Sequence, residues 1–318
     1  MIEVSNLSKV FDGFCAVDKL SFSVKPGEVL GFLGPNGAGK STTMKIITGF
    51  LAPSEGEVSV MGHNVLTSPK LAQREIGYLP EGAPAYADMT VLASLKFIGQ
   101  VRGFSGSELQ QRIDSVVGKV ELEPVLSKRV ETLSKGYCRR LGIAQSLLHD
   151  PKVLILDEPT DGLDPNQKHQ VRELIRNLSK DKTVIVSTHI LEEVSAVCTR
   201  AMILAEGKVV FDGTPKELAA KSDFHNAVTI RLSEANGSVV DELRKLSQVK
   251  QVNTGDDGEI TVIPVDGQSI LSEVSPVLHS QSCVLEELHV EVGRLDDVFR
   301  KVTSSPRVGE SSVKEQVA

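Results

Sequence analysis

The stretch Gly34-Pro35-Asn36-Gly37-Ala38-Gly39-Lys40-Ser41, with Thr42 behind it, has the residue types and spacing to hold a chain of phosphates. It reads G-x-x-x-x-G-K-S. Glycines let the backbone curl until successive N–H groups point inward, and a helix starting at the end of the loop adds a partial positive charge. Lys40 would then reach the β- and γ-phosphates, and the Ser41 hydroxyl would ligate Mg²⁺. Three further groups could act on a phosphoryl centre: the adjacent carboxylates Asp157-Glu158, and His189.

These residues need elements that carry them to one place. Val29 to Leu33 is almost wholly apolar, as a strand buried on both faces of a parallel sheet must be, and Lys40 to Ile47 runs without a breaker until Gly49. Val153-Leu154-Ile155-Leu156 is a second buried strand, with Asp157-Glu158 at its end. Thr183 to Val186 is a third and ends in Ser187-Thr188-His189. In an open parallel sheet, ligands bind at the carboxyl ends of the strands, so all three groups arrive at the edge that carries the loop. An Asp in this position holds Mg²⁺, and His189 can donate a hydrogen bond to a γ-phosphate. The histidines at 63, 149, 169, 225, 279 and 289 show no ligand spacing and read as surface residues. Phe11, in Val10-Phe11-Asp12-Gly13, has two readings: a platform for stacking an adenine ring, or a core residue.

With 318 residues, the chain exceeds the usual single domain, which suggests one large domain and a smaller one. Its net charge of −7 gives no support to a broad nucleic-acid-binding face. Cys15, Cys138, Cys198 and Cys283 lie far apart without a C-x-x-C pair, so neither a disulfide framework nor a zinc cluster is suggested, and a reducing compartment fits. Met1-Ile2-Glu3-Val4 begins at once with alternating apolar residues, and no secretory signal is visible. No apolar run approaches the ~18 residues of a membrane-spanning helix, so any link to a membrane goes through a partner.

Ile2 to Leu7 and Leu20 to Val24 alternate with period 2, as half-exposed antiparallel strands do. From about Thr90 to Leu133 the periodicity is helical, and after Ser134, a candidate N-cap, another helix shows an apolar face of Leu141, Ala144, Leu147 and Leu148. This helical insertion, about 90–150, lies within an α/β domain spanning 1–220. Ala201 to Leu204 and Val209 to Phe211 form a hairpin. Residues 221–303 read strand, helix, strand, strand, helix, strand, a βαββαβ split sandwich of α+β type, and 304–318 reads as a disordered polar tail.

The phosphate loop, Leu133-Ser134-Lys135-Gly136-Tyr137, the Asp157-Glu158 pair, the Gly162-Leu163-Asp164 turn and His189 together resemble the ATP-binding subunits of ABC transporters, over residues 1 to about 220. The resemblance implies a P-loop ABC ATPase domain, a mixed sheet with an antiparallel β subdomain and a helical insertion, followed by the small C-terminal domain. It makes Phe11 the adenine-stacking residue, Gly34 to Thr42 the Walker A loop and Asp157 the Walker B aspartate. Glu158 becomes the carboxylate that polarises the attacking water, Asp164 the D-loop aspartate and His189 the switch histidine. Members of this family pair head to tail, so that the signature residues Ser134 and Gly136 close on ATP held by another copy. A homodimer or a paired ATPase subunit is therefore implied, with ATP and Mg²⁺ as cofactors. An integral-membrane permease would be the partner and the cytoplasmic face of the membrane the location.

Two positions depart from the general pattern: Lys135 and Tyr137 in the signature, and Glu81 where a Gln usually stands. Both look like the ABC-2 type export branch, including its gliding-motility-like members, as does Leu295-Asp296-Asp297-Val298-Phe299. The leading expectation is an ATPase driving a separate permease, in the export direction. The alternative is a soluble ABC ATPase acting on ribosomes or DNA, which usually carries two cassettes or a long coiled-coil insertion. A sensor without turnover is disfavoured by Glu158 and His189, and a GTPase by the lack of an Asn-Lys-x-Asp motif.

Overall fold

Short apolar runs bounded by glycine, proline or a charged pair become buried strands in this chain, and longer runs of helical period cover them. The computed structural model describes residues 1–233, 237–255, 258–281 and 284–303. Cys283 and the tail 304–318 lie outside the described residues. The chain divides into two compact units, Met1–Pro215 and a second from Lys216 onward.

The first unit opens with β1 (Ile2–Phe11) and β2 (Phe14–Val24), an antiparallel hairpin. Its turn residues Asp12 and Gly13 both have positive φ, 42° and 86°, as the tightest hairpin turns require. Next come β3 (Val29–Leu33), α1 (Lys40–Ile47), β4 (Glu55–Val60), β5 (His63–Asn64), α2 (Pro69–Arg74) and β6 (Ile76–Leu79). Three helices follow, α3 (Val91–Val101), α4 (Gly106–Val120) and α5 (Lys135–Leu147). The unit closes with β7 (Val153–Asp157), α6 (Pro165–Ser179), β8 (Thr183–Ser187), α7 (Leu191–Val197), β9 (Arg200–Ala205), β10 (Lys208–Gly213) and the start of α8 (Pro215–Ala219).

Two sheets result. One is antiparallel, ordered β2-β1-β4-β5; the other has six strands, β10-β9-β3-β8-β7-β6, all parallel except the edge strand β10. Val153 and Ile155 of β7 pack with α1 residues Met44 and Ile47 and the antiparallel sheet, while Leu154 and Leu156 pack with the helices on the other face. All four are fully buried, each worth ~1.5–3 kcal/mol relative to exposure. That is why the strand reads as an unbroken apolar run. Gly31 interrupts β3 for a steric reason: a Cβ there would lie 2.8 Å from the Cys198 sulfur.

The second unit contains β11 (Val228–Leu232), α9 (Gly237–Arg244), β12 (Val249–Thr254), β13 (Glu259–Pro264), α10 (Leu271–Ser280), β14 (Leu285–Val290) and α11 (Leu295–Thr303). Its sheet, ordered β12-β13-β11-β14, is antiparallel throughout, the βαββαβ arrangement expected from the sequence. Val228, Ile230 and Val262 bury against Val239 and Leu243 of α9 and Val274 of α10.

Three details differ from the sequence reading. The helical run from Thr90 is broken at Gly103, whose φ of 90° no helix accepts. Helices α2 and α7 are too short for a period to stand out. His149 is not a surface residue: it is half-buried at the end of α5, with Nε2 2.9 Å from the Ile76 carbonyl. Burial, reinforced by the Arg102 charge, pushes its pKa down to about 4, so the ring stays neutral near pH 7.

Candidate nucleotide-binding site

The loop between β3 and α1 is shaped by three glycines at positive φ, two of which have no room for a side chain. Gly34, Gly37 and Gly39 have φ of 154°, 82° and 100°. A Cβ on Gly34 would sit 2.4 Å from the Leu204 carbonyl oxygen, and one on Gly39 2.5 Å from that of Ala16. Backbone cannot yield there as a side chain could. Gly39 also serves as the N-cap of α1 without a side chain, leaving the first N–H groups of the helix for an anion.

Lys40, 6% exposed, folds back over the loop and donates to the carbonyls of Gly34 at 2.6 Å and Pro35 at 3.1 Å. Burial lowers its pKa, and the nearby carboxylates of Glu158, Asp157 and Glu81 oppose that shift. Ser41 and Thr42 are half-buried on the first turn of α1. Tyr78 on β6 feels the same carboxylates: burial first, then the Asp157 and Glu81 charges, raise its hydroxyl to about 12.

Asp157 ends β7 and is 2% exposed; Ser187, ending β8, donates its hydroxyl to Asp157 Oδ1. The same Ser187 Oγ accepts from the Glu158 N–H at 3.0 Å. Neighbours along a straight strand point to opposite faces. Glu158 escapes that alternation because its φ is +48°, a left-handed turn fixed by the two Ser187 contacts, its N–H also meeting the Ser187 carbonyl at 3.2 Å. The Glu158 carboxylate thereby meets His189, whose Nδ1 lies 3.2 Å from Oε1. Asp161 belongs to the same group, its carboxylate within 4.8 Å of the Glu158 and His189 ligand atoms, and Arg139 of α5 reaches to 3.9 Å from it.

A cavity of about 520 Å³ gathers most of the residues singled out from the sequence. Asn36, Gly37, Gly39, Lys40, Ser41 and Thr42 line it from the loop, Glu158, His189 and Glu81 from the other side. Phe11 lines it too and is 41% exposed, so it is no core residue. Phe14, 64% exposed and paired with Phe11 across the hairpin turn, lines it as well and went unremarked in the sequence. Gly34, Pro35 and Ala38 shape the loop without lining the cavity, and Asp157 stands behind it. Ser134, Gly136 and Asp164 are elsewhere. Ser134 caps α5, accepting from Tyr137 N at 3.4 Å, and Asp164 caps α6, accepting from Gln167 N at 2.9 Å. Gly136 lies against the Gln167 side chain, 2.8 Å from where its Cβ would be. Ser187 and Asp161 are the other residues that spacing alone left without a role.

A glycine-built phosphate loop at the carboxyl edge of a parallel sheet, with a buried Asp and a turned-out Glu on the next strand but one, defines a P-loop nucleoside triphosphatase. Comparison narrows the class. The family model described as "ABC transporter" matches residues 17–161. The Nod factor export ATP-binding protein I of Paraburkholderia xenovorans is 33% identical over 304 residues, covering 95% of this chain and 96% of that protein. CbiO1 from Clostridium perfringens, described as part of the ABC transporter complex CbiONQ, superposes with a TM-score of 0.64 at 30% identity, over 69% of this chain and 90% of that one. A dimeric ATP-binding cassette in a post-hydrolysis state, bound to ADP and Pi, does so with a TM-score of 0.62 at 27% identity, over 68% and 99%. The chain belongs to the ATP-binding subunits of ABC transporters, and it is an ATP hydrolase that powers transport.

Proposed function

We propose that this subunit drives export through a separate integral-membrane permease, acting at the cytoplasmic face of the membrane as a homodimer or with a paired ATPase subunit. The observation that supports pairing is a division of the site. Ser134, Gly136 and Asp164 stand at the N-termini of α5 and α6, outside the cavity lined by Lys40, Ser41, Glu158 and His189. A second protomer facing the loop would bring its own Ser134 hydroxyl and Gly136 N–H to the γ-phosphate. The export direction is supported by the export ATP-binding protein that matches over nearly the whole chain.

Within one protomer, Phe11 stacks on the adenine, the loop N–H groups and Lys40 hold the phosphates, and His189 contacts the γ-phosphate. Glu158 accepts a proton from the attacking water. Ser41 and Asp157 form an oxygen-only donor set suited to a hard divalent cation, and they would hold Mg²⁺. When bound, Mg²⁺ neutralises charge on the β- and γ-phosphate oxygens. Glu81 is exposed and lines the cavity, which supports a role for it in sensing the triphosphate.

Glu158→Gln tests the reading. ATP affinity should hold while turnover falls about 10²- to 10⁴-fold, the range for a positioned proton acceptor. The variant should also accumulate as an ATP-bound dimer in size-exclusion chromatography. Undiminished turnover would remove Glu158 from the chemistry, and a monomer at saturating ATP would remove the homodimer, leaving pairing with a different ATPase subunit.

A further inference from the structure

Beneath the Glu158–His189 pair lies a second carboxylate that the chemistry above does not use. Glu193, in α7, is 4% exposed. Its Oε1 accepts from the Thr160 hydroxyl and its Oε2 from the Thr188 hydroxyl at 2.8 Å, while Arg172 of α6 approaches Oε1 to 3.8 Å. Thr160 and Thr188 are themselves 3% and 2% exposed. Thr160 follows Glu158 by two residues, and Thr188 directly precedes His189. The Thr188 Oγ1 also accepts from the Ile190 N–H at 3.0 Å, closing the turn that presents the histidine.

One carboxylate thus joins the loop that carries Glu158 to the loop that carries His189. Space-filling does not explain it. A buried charge is expensive to desolvate, and apolar residues of similar volume are often as stabilising or more so. An apolar side chain could not hold two loops in register, whereas charge-assisted hydrogen bonds from two hydroxyls are short and directional. We propose that Glu193 is a positioning residue: through Thr160 and Thr188 it sets where Glu158 and His189 stand relative to each other, and hence how both meet the γ-phosphate. The inference rests on the roles proposed above for that pair.

The test uses the full chain and compares Thr188→Val, Thr188→Ser, Thr160→Val and Glu193→Gln by steady-state ATPase, ATP affinity and thermal unfolding. Thr188→Val keeps the shape and loses the hydroxyl. Its kcat should fall about 10- to 100-fold, the scale on which a displacement of ~1 Å is felt, with ATP affinity within about twofold of wild type. Thr188→Ser should restore kcat. Thr160→Val gives independent access to the same carboxylate should Thr188→Val fold poorly. Glu193→Gln should lower kcat, and adding Thr188→Val to it should lower it little further, because members of one network are not additive. A lowered Tm with unchanged kcat, or a loss that serine does not restore, overturns the proposal. Undiminished turnover in Glu158→Gln would instead overturn the underlying roles.

Discussion

In the six-stranded sheet of the first unit, β3, β7 and β8 run the same way, so the phosphate loop, Asp157-Glu158 and His189 all leave from one edge. In the four-stranded sheet of the second unit every neighbouring pair is antiparallel, and consecutive strand ends face opposite directions. Both sheets have fully buried aliphatic residues at their centre, Leu154 and Ile155 in the first, Ile230 and Val262 in the second. What differs is where loops can gather. A parallel edge concentrates loops from distant parts of the sequence, whereas an antiparallel sheet distributes them to both edges. In the second sheet the alternate positions carry solvent-side pairs instead: Ile230 and Ile260 are buried, while Arg231 and Glu259 beside them pair at 3.6 Å with both side chains about 40% exposed.

The sharpest way to break this contrast is to remove the phosphate-binding cation. Lys40→Ala should abolish measurable ATP binding, since each charge-assisted contact it makes to phosphate is worth about 1.5–3 kcal/mol. Far-UV circular dichroism should not change; wild-type affinity in the variant would mean that the loop edge is not the site. A smaller effect, confined to stability, is expected in the other sheet. Leu243→Ala empties a fully buried position and should cost about 2–5 kcal/mol in denaturant unfolding of the second unit while ATP affinity stays as in wild type. A matching drop in ATP affinity would show that the two sheets do not work separately. The smallest effect belongs to the solvent-side pair. Arg231→Ala should shift unfolding by less than about 1 kcal/mol, as exposed pairs do, and a larger shift would make that face more than a solvated surface.

Much of the first sheet could be foreseen. Its buried strands have no alternation to obscure them, and the loop shows itself in the spacing of its glycines, lysine and serine. The βαββαβ order of the second unit was equally legible from its periods. What stayed hidden depends on contacts between segments far apart in the chain. Ser187 matters because β8 pairs with β7, which brings its hydroxyl to Asp157 and Glu158. Glu193 reads as one more acidic residue in a short helix until Thr160 and Thr188 are seen to converge on it. Phe14 is conspicuous only through its partner across the turn, and His149 looked like a surface residue because nothing local says that β6 passes beside it.

The posture of Lys40 bears on how quickly the protein can capture its substrate. With its ammonium donated to the Gly34 and Pro35 carbonyls, Lys40 ties the two ends of the loop together by hydrogen bonds internal to it. Freezing a disordered loop would cost about 1–2 kcal/mol per residue in backbone entropy. Here the positive-φ glycines and these hydrogen bonds set that order during folding, so association need not supply it. Capture should therefore follow the arrival of the anion, without waiting for the loop to find its shape.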